Sequence, residues 1–337
     1  MSTYIRPQQK NLRDYTDCPI ILRDYLRHIV TIDGLGIRTA NAYYINLRLF
    51  LRYIKMLRDE IDPEKYDIIL INDISSEDLA KVTEDDVLNY LYFLAQKGDG
   101  VSTRSAKLSA IKAFYKYTCA MYPSEFHSNP SLRIKSPKIP ERQPKYLTEE
   151  EALLLLGAAK RTYDPIRNYC ITALLLNCGM RLSELTAINV NSRVGNTIKI
   201  IGKGNKERTL YLNDMCMEAI DKWLVERAKI KDILDETAMF VSRQSHRRMT
   251  GRSIQNVIEL ELKLAGLSGM GFSPHKLRHT AATLMYNSGA DLMELKEILG
   301  HENTVTTEIY THVYQQRLKE VSDNNPLNKR KYNSIED

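Results

Sequence analysis

The chain has 337 residues, enough for about two domains of roughly 150 residues each. Apolar residues make up 43% of the sequence and charged residues 27%, so each half can bury an ordinary core and wholesale disorder is excluded. The 48 Lys and Arg residues against 42 Asp and Glu residues give a net charge of +6, which is compatible with an anionic partner but does not require one.

The cysteines and the apolar runs indicate a cellular compartment. The five cysteines are widely spaced and form no C-x-x-C pair, which favours a reduced, cytoplasmic protein over a disulfide scaffold. The first residues lack the apolar core of a signal peptide, and no apolar run approaches the roughly 20 residues that cross a bilayer. We therefore expect neither secretion nor a membrane partner.

Helical periodicity dominates the first part of the chain, where apolar residues recur three and four positions apart. The segments with this pattern are 20–30, 38–57, 84–96 and 102–121. They predict a helical bundle that forms a first domain over 17–130.

The charge of this first domain is segregated along the sequence. Between 59 and 86 there are 11 acidic and two basic residues, whereas the rest of 1–130 has 15 basic and six acidic ones. We interpret the acidic stretch as an insertion or a solvent-facing flap that avoids a polyanion. A merely solvated face would explain the same segregation, so the charge alone does not establish nucleic-acid binding.

The last predicted helix of the bundle carries basic side chains within about half of its circumference, interleaved with apolar and aromatic residues. These basic residues are Arg104, Lys107, Lys112 and Lys116. An exposed basic face of this kind fits a helix that lies on DNA. Lysine stems that cover a core stripe are the alternative.

A proline-rich basic segment follows at 131–146, with three prolines, five bases and one acid. Proline removes backbone donors and restricts the preceding residue, so the segment should be extended. We expect an interdomain linker that lies along phosphates, with Lys135 and Lys138 as candidate contacts.

The second half, 147–324, is predicted to be mostly helical with one small antiparallel sheet. Thr148 and the three glutamates after it form the cap and acidic first turn of a helix. Helices are predicted at 149–160 and 165–177, a hairpin at 197–201 and 208–212, and further helices from 215 to about 322. The fold class is therefore mainly α: a helical bundle followed by a mixed α/β domain. A short helix at 313–323 and a flexible tail at 325–337 complete this organisation.

Two glycine-containing motifs carry basic residues. The word G-M-R-L-S-E-L places Arg181 just after a glycine that ends an apolar helix, where a guanidinium can grip two phosphate oxygens. The turn I-I-G-K-G-N-K-E-R places Lys203 between two glycines, where an amine can supply a proton or a charge. Each motif alone also has an ordinary explanation: the first as a surface arginine at the start of a helix, the second as an exposed hairpin. The second motif is not a phosphate-binding P-loop, because it lacks the P-loop spacing.

A third motif, S-P-H-K-L-R-H-T, begins a helix and puts His275 and Arg278 on one face. His279 lies four residues after His275, as in zinc proteases, but Lys276 occupies the position where that pattern requires glutamate. We therefore expect no metal at this site.

The fourth motif, L-G-H-E-N-T-V-T-T-E-I-Y-T-H-V, has His301 after a glycine and Tyr310 nine residues later. Any one of the 20 tyrosines is more often a packing residue than a chemical one. The other three motifs are what distinguish Tyr310.

Together these residues resemble the tyrosine recombinase, or phage-integrase, family in order and in surrounding words. The residues that carry the resemblance are Arg181, Lys203, His275, Arg278, His301 and Tyr310, at intervals of 22, 72, 3, 23 and 9. The resemblance is strong from 147 to 322 and weaker in the first half, which looks like the core-binding domain of the family. It implies two domains that close as a clamp around duplex DNA.

The resemblance also implies a chemistry: a site-specific recombinase that cleaves and rejoins duplex DNA through a covalent 3′-phosphotyrosine, with Tyr310 as the nucleophile. Arg181 and Arg278 would balance the transition-state charge, with His301 as a hydrogen-bond donor beside them. The chemistry requires no metal, ATP or other cofactor.

Proton transfers would complete the implied site. A tyrosine of pKa about 10 must lose its proton in the attack, and His275 is the candidate acceptor. In the family, the hairpin lysine, here Lys203, protonates the departing 5′ oxygen. Glu184 lies one helical turn after Arg181, where it would orient an arginine or a histidine or serve only as ordinary helix polarity.

The expected partners are paired double-stranded DNA sites, a homotetramer formed through exchange of the tail helix, and an accessory protein that sets direction. Further candidate DNA contacts are Arg243, Arg247, Arg248 and Arg252. The first predicted helix begins near Ile20, which leaves no room for the arm-binding domain of larger phage integrases, so we expect a Xer-like or transposon-type enzyme. The sequence leaves two biological roles open: integration or excision of a mobile element, and resolution of chromosome dimers. Two alternative functions also stay open, a type IB topoisomerase and a catalytically idle DNA-binding protein.

Overall fold

A computed structural model describes residues 15–138, 145–201 and 207–300. The chain divides into two compact units, Met1–Glu141 and Arg142–Asp337, and each is described here by itself. The boundary between them falls inside the predicted linker. The mainly α fold class is confirmed, since helices predominate in both units and the described strands form one small antiparallel sheet.

The first unit is a helical bundle. Its helices are α1 (Ile20–Thr31), α2 (Ile37–Arg58), α3 (Ser76–Ala80), α4 (Glu84–Gln96) and α5 (Val101–Met121), with a 3₁₀ helix at Pro63–Ile68. The four predicted helices, α1, α2, α4 and α5, start and stop close to their predicted bounds, and the short helix α3 and the 3₁₀ helix lie in the acidic stretch. The core between them is rich in aromatic residues. Tyr90, for example, packs edge-on against Phe50 with ring centroids 5.2 Å apart, and Phe114 makes a similar contact with Tyr25 at 5.6 Å.

The acidic stretch 59–86 packs into this bundle, so it is not a solvent-facing flap, and its interpretation as an insertion stays a prediction. Five of its apolar side chains are buried in the core, Tyr66, Ile69, Ile71, Leu79 and Val82, whereas Ile68 and Leu70 are exposed. The Tyr66 hydroxyl donates to the Leu49 carbonyl of α2 at 2.9 Å, and Asp73 pairs with Lys55. The charge count identified the exposed face of the segment, but the apolar residues between the acids hold it against α2.

The basic residues of α5 do not share one exposed face. Lys107 is only 7% exposed, and its ammonium group donates to Asp99 at 2.5 Å. Lys116 is exposed, while Arg104 and Lys112 are half-buried. Lys107 is therefore tied to the α4–α5 connection, and Lys116 is the exposed member of the predicted set. DNA contact by these four residues stays a prediction.

The predicted linker is partly built into the first unit. Ser131 is fully buried, and Ile134 belongs to the core of the bundle. Lys135 and Lys138 are exposed, as contacts to phosphates would require. Leu147 is already buried in the second unit, where its backbone N–H donates to the Thr280 hydroxyl at 2.9 Å.

The second unit surrounds α7, whose residues are buried on nearly all sides. Its helices are α6 (Glu149–Ala159), α7 (Pro165–Cys178), α8 (Leu182–Ala187), α9 (Asp214–Ala228), α10 (Gly251–Leu264), α11 (Pro274–Asn287) and α12 (Leu292–Leu299). The sheet has the order β1 (Arg193–Val194), β2 (Thr197–Ile201) and β3 (Glu207–Tyr211), with both pairs antiparallel. The core includes Trp223, which is fully buried and donates its indole N–H to the Met239 carbonyl at 2.9 Å.

Local signals in the sequence explain where these helices begin. The Thr148 hydroxyl accepts from the Glu151 N–H, and the Glu151 carboxylate accepts from the Thr148 N–H, so the predicted cap of α6 is a complete capping box. Pro165 and Pro274 occupy the first positions of α7 and α11, where the missing N–H costs nothing.

Candidate active site

A left-handed glycine turn sets the position of Arg181. α7 ends at Gly179, whose φ is +57°, and an added Cβ there would lie 2.7 Å from the Leu299 side chain. Only glycine combines this backbone conformation with so close an approach. The turn reverses the chain, so α8 starts directly after Arg181 and the guanidinium projects from a buried framework as predicted.

Glu184 is the centre of a cluster of arginines. Its carboxylate is 3% exposed and accepts hydrogen bonds from the Arg181 backbone N–H at 2.8 Å and from Arg181 Nη1 at 2.8 Å. It also accepts from Arg208 Nη1 at 2.7 Å and from Arg208 Nη2 at 3.0 Å. Burial by itself would raise the pKa of Glu184, but the hydrogen bonds from Arg208 and Arg181 outweigh burial and lower it. Glu184 is therefore an ionised carboxylate inside the unit.

Arg278 reaches the same place from α11. Its Nη1 donates to the Gly179 carbonyl at 2.7 Å and lies 3.8 Å from Glu184 Oε2. Its Nη2 donates to the Leu299 carbonyl at 2.5 Å, and Arg181 Nη2 donates to the next carbonyl, that of Gly300, at 2.9 Å. The two arginines, 97 residues apart in sequence, thus converge on the end of α12. His301 is the next residue along the chain after this point.

His275 lies one turn before Arg278 on α11 and is exposed. Partial desolvation, together with the charges of Arg278, Lys276 and Arg181, lowers its pKa below the ordinary value. Its ring Nε2 is 3.1 Å from His279 Nε2, and the two rings are nearly perpendicular. His275 is therefore a neutral imidazole beside the cations at neutral pH, held by His279.

Lys203, His301, Tyr310 and the predicted tail helix 313–323 lie outside the described residues, as does the tail 325–337. The structure thus brings together Arg181, Glu184, His275 and Arg278 from the predicted set. It adds Arg208, which the sequence analysis did not single out. Strand alternation was the available signal, because Arg208 and the buried Leu210 are two positions apart on the same face of β3.

The predicted DNA contacts of the second unit have different surroundings. Arg243 donates to both oxygens of the buried Asp164, at 2.8 and 3.3 Å. Arg248 is tied to Asp235 at 2.8 Å and to the carbonyls of Thr186 and Ile188, both at 3.0 Å. These bonds give both side chains a structural role.

Arg243 is nevertheless exposed, as are the other two predicted contacts, Arg247 and Arg252. Arg252 lies 3.5 Å from the exposed Glu259. DNA contact by all four arginines stays a prediction.

The described residues form neither a metal-binding cluster nor a membrane-spanning helix. Within the three described ranges, no group of three or more His, Cys, Asp or Glu side chains is arranged to hold a metal ion. The helices of these ranges include none that is long and apolar enough to span a bilayer. All five cysteines are free thiols.

Comparisons with known proteins extend these observations. The model of the Phage integrase family matches residues 145–317. The tyrosine recombinase XerC of Caldanaerobacter subterraneus subsp. tengcongensis is 36% identical over 326 residues, which cover 96% of this chain and 91% of that protein.

Two solved structures share the fold. The site-specific recombinase XerH, bound to its palindromic difH substrate in a post-cleavage complex, matches with a TM-score of 0.68 at 22% identity, covering 90% of this chain and 83% of that one. A lambda integrase tetramer bound to a Holliday junction matches with a TM-score of 0.61 at 17% identity, covering 86% of this chain and 76% of that one. At these identities the likeness concerns the fold alone.

The match to the family model over residues 145–317 and the 36% identity to a XerC over nearly the whole chain show an enzyme of DNA recombination: the chain belongs to the phage integrase family of tyrosine recombinases. Within this family it is a site-specific recombinase of the Xer type.

Proposed function

We propose that the chain cleaves and rejoins duplex DNA by attack of the Tyr310 oxygen on a phosphodiester. The oxygen–phosphorus bond to tyrosine forms as the bond to the 5′ oxygen breaks, which leaves a covalent 3′-phosphotyrosine. The 5′ hydroxyl of another strand then attacks the phosphotyrosine. This attack forms a new phosphodiester and releases the Tyr310 oxygen. The bond energy is retained throughout, so no nucleotide cofactor is consumed.

The convergence of Arg181 and Arg278 is the observation that carries this proposal. The transition state concentrates negative charge on the nonbridging oxygens of the phosphorus. Two guanidinium groups fixed by backbone carbonyls at Gly179, Leu299 and Gly300 supply donors without reorganising during the reaction. Their positive charge takes the role that metal ions have in other phosphoryl-transfer enzymes.

Proton transfers complete the cycle. His275 is the proposed acceptor of the tyrosine proton, and its lowered pKa supports this role because a neutral imidazole has a free lone pair. Lys203 is the proposed donor to the departing 5′ oxygen, and His301 is the proposed hydrogen-bond donor to the phosphate. In this mechanism these three groups surround one phosphorus together with Arg181 and Arg278.

The first experiment traps the covalent intermediate. The purified enzyme is incubated with genomic DNA, and the reaction is stopped with detergent. The DNA that is covalently bound to protein is then sequenced to locate the target site. A nicked duplex carrying that site then accumulates the adduct, because the short strand beyond the cut diffuses away. Tyr310→Phe should bind this duplex with unchanged affinity and form no adduct, whereas an equal adduct yield from the variant would refute the assignment.

We further propose action on two duplexes within a homotetramer that exchanges its tail helices, in the cytoplasm with the chromosome. The lambda integrase tetramer on a Holliday junction, which shares this fold, supports the assembly. Relaxation of supercoiled plasmid that lacks the mapped site would favour a type IB topoisomerase instead. Mapped sites at the ends of a mobile element support integration and excision with an accessory directionality protein, whereas one chromosomal site supports dimer resolution.

A further inference from the structure

Arg208 is a third guanidinium at the site, and its contacts are directed to Glu184. It lies on β3, and its side chain is 14% exposed. Both of its terminal nitrogens donate to the carboxylate, one to each oxygen, at 2.7 and 3.0 Å. Its Nε is buried and has no hydrogen-bond partner among the described residues, so the forked pair with Glu184 is its main polar contact there.

The bonds of Glu184 divide evenly between two arginines. Oε1 accepts from Nη1 of Arg181 and of Arg208, and Oε2 accepts from the Arg181 backbone N–H and from Arg208 Nη2. A carboxylate has about four lone-pair sites, and here all four are used. Because Arg208 occupies one site on each oxygen, the carboxylate cannot rotate without breaking a bond, and its other two sites face Arg181.

We propose that Arg208 is a positioning residue that, through Glu184, holds the Arg181 guanidinium in the orientation in which it meets the scissile phosphate. This inference rests on the proposed role of Arg181 as a phosphate clamp. Arg208 also balances the buried charge of Glu184, which leaves the charges of Arg181 and Arg278 for the DNA. The predicted defect on losing Arg208 is therefore a defect in stabilising phosphate charge.

The variant Arg208→Lys tests orientation apart from charge. Lysine keeps the positive charge, but its single ammonium group cannot reproduce the planar fork that locks both carboxylate oxygens. We expect cleavage of the nicked target to slow by about tenfold or more. This is the effect expected when a misoriented Arg181 loses one charged hydrogen bond to the phosphate in the transition state. Binding of the target should change much less, because Arg208 itself does not contact DNA in this proposal.

A substrate with an altered phosphate separates positioning from a merely structural role. A methylphosphonate at the scissile position replaces one nonbridging oxygen with a methyl group and removes the charge that Arg181 would balance. If Arg208 acts on Arg181, the defect of Arg208→Lys should shrink to within about threefold on the methylphosphonate. A structural role would give the same defect on both substrates.

Control variants make the outcomes distinct. Arg193→Lys changes another arginine of the same sheet, one paired with the exposed Asp221 away from Glu184, and it should show equal relative rates on both substrates. Arg181→Ala is the reference. If Arg181→Ala is not rescued by the methylphosphonate, the proposed function of Arg181 fails. If Arg181→Ala is rescued and Arg208→Lys is not, the positioning role of Arg208 fails while the function stands.

A double-mutant cycle gives a second measurement that does not depend on the altered phosphate. The variants Arg208→Lys and Glu184→Gln, and the double variant, are compared for cleavage rate after circular dichroism verifies that each is folded. If Arg208 acts through Glu184, the double variant should be no slower than Glu184→Gln alone. Multiplicative defects would mean that Arg208 acts independently of Glu184 and would overturn the inference.

Discussion

Replacing Gly179 with alanine should destabilise the second unit more than an ordinary glycine substitution. The backbone at this turn has a φ of +57°, and forcing an L-residue into this region costs about 1–2 kcal/mol. The new Cβ would also lie 2.7 Å from Cδ2 of Leu299, which is buried, and 3.6 Å from the Ala281 Cβ. Overpacking of this kind costs about 1–3 kcal/mol, so we expect a total loss of about 2–5 kcal/mol.

The chain offers a matched control for the conformational part of this loss. Gly195, in the turn between β1 and β2, has a φ of +59°, but an added Cβ there would have nothing within 4 Å. Gly195→Ala should therefore lose only the backbone contribution, about 1–2 kcal/mol. The difference between the two variants isolates the close approach of Gly179 to α12.

Fluorescence of the single tryptophan suits this comparison, because Trp223 is fully buried in the second unit and reports its unfolding specifically. Urea unfolding followed at this residue gives the free energy of each variant from its midpoint and slope. Leu299→Ala combined with Gly179→Ala should recover part of the packing loss as a favourable coupling. If Gly179→Ala were no less stable than Gly195→Ala, the steric reasoning would be refuted.

Two further predictions concern stability. Glu261 is fully buried, receives one hydrogen bond from the Thr172 hydroxyl at 2.5 Å, and burial raises its pKa to about 8 from 4.5. The folded state therefore holds a proton that the unfolded state loses above about pH 4.5, and stability should fall between about pH 4.5 and 8, by up to about 4 kcal/mol. Glu261→Gln should remove this decline, so its unfolding free energy should rise relative to that of the parent between pH 5 and 8.5; a constant gap would contradict the assignment. Thr148→Ala should cost about 1 kcal/mol by removing the cap of α6, whereas Thr148→Ser should cost little, as measured by urea unfolding; equal losses in both variants would mean that the hydroxyl does not cap the helix.

Local patterns predicted the elements of the fold well because each has its own physical signal. The periodicity of apolar residues located α1, α2, α4 and α5 to within one residue or so, and the cap at Thr148 located α6. Such signals reside in contiguous sequence. The turn before Arg181 could also be predicted, because a glycine after an apolar helix indicates where that helix ends.

Contacts between side chains from different elements could not be predicted in the same way. The helical angle places Lys107 among the other bases of α5, but it does not reveal that Asp99 lies beside Lys107. Arg208 went unnoticed because its partner Glu184 lies 24 residues earlier, on α8. A charged residue at an inward strand position requires a buried counter-charge, but only the folded chain identifies which carboxylate provides it.

The arginine cluster illustrates how a buried carboxylate creates a cation site. Three guanidinium groups at one place would repel one another strongly in a low-dielectric interior, and such a cluster would be costly without compensation. Glu184 provides one negative charge that all three share, directly for Arg181 and Arg208 and at 3.8 Å for Arg278. The formal sum of these four groups is +2, so the cluster keeps a positive charge, which in the proposed mechanism balances the phosphodiester in its transition state. Glu184 thus neutralises part of the cluster and, in the proposed mechanism, orients Arg181, so its loss should reduce both the free energy of unfolding and the rate of cleavage.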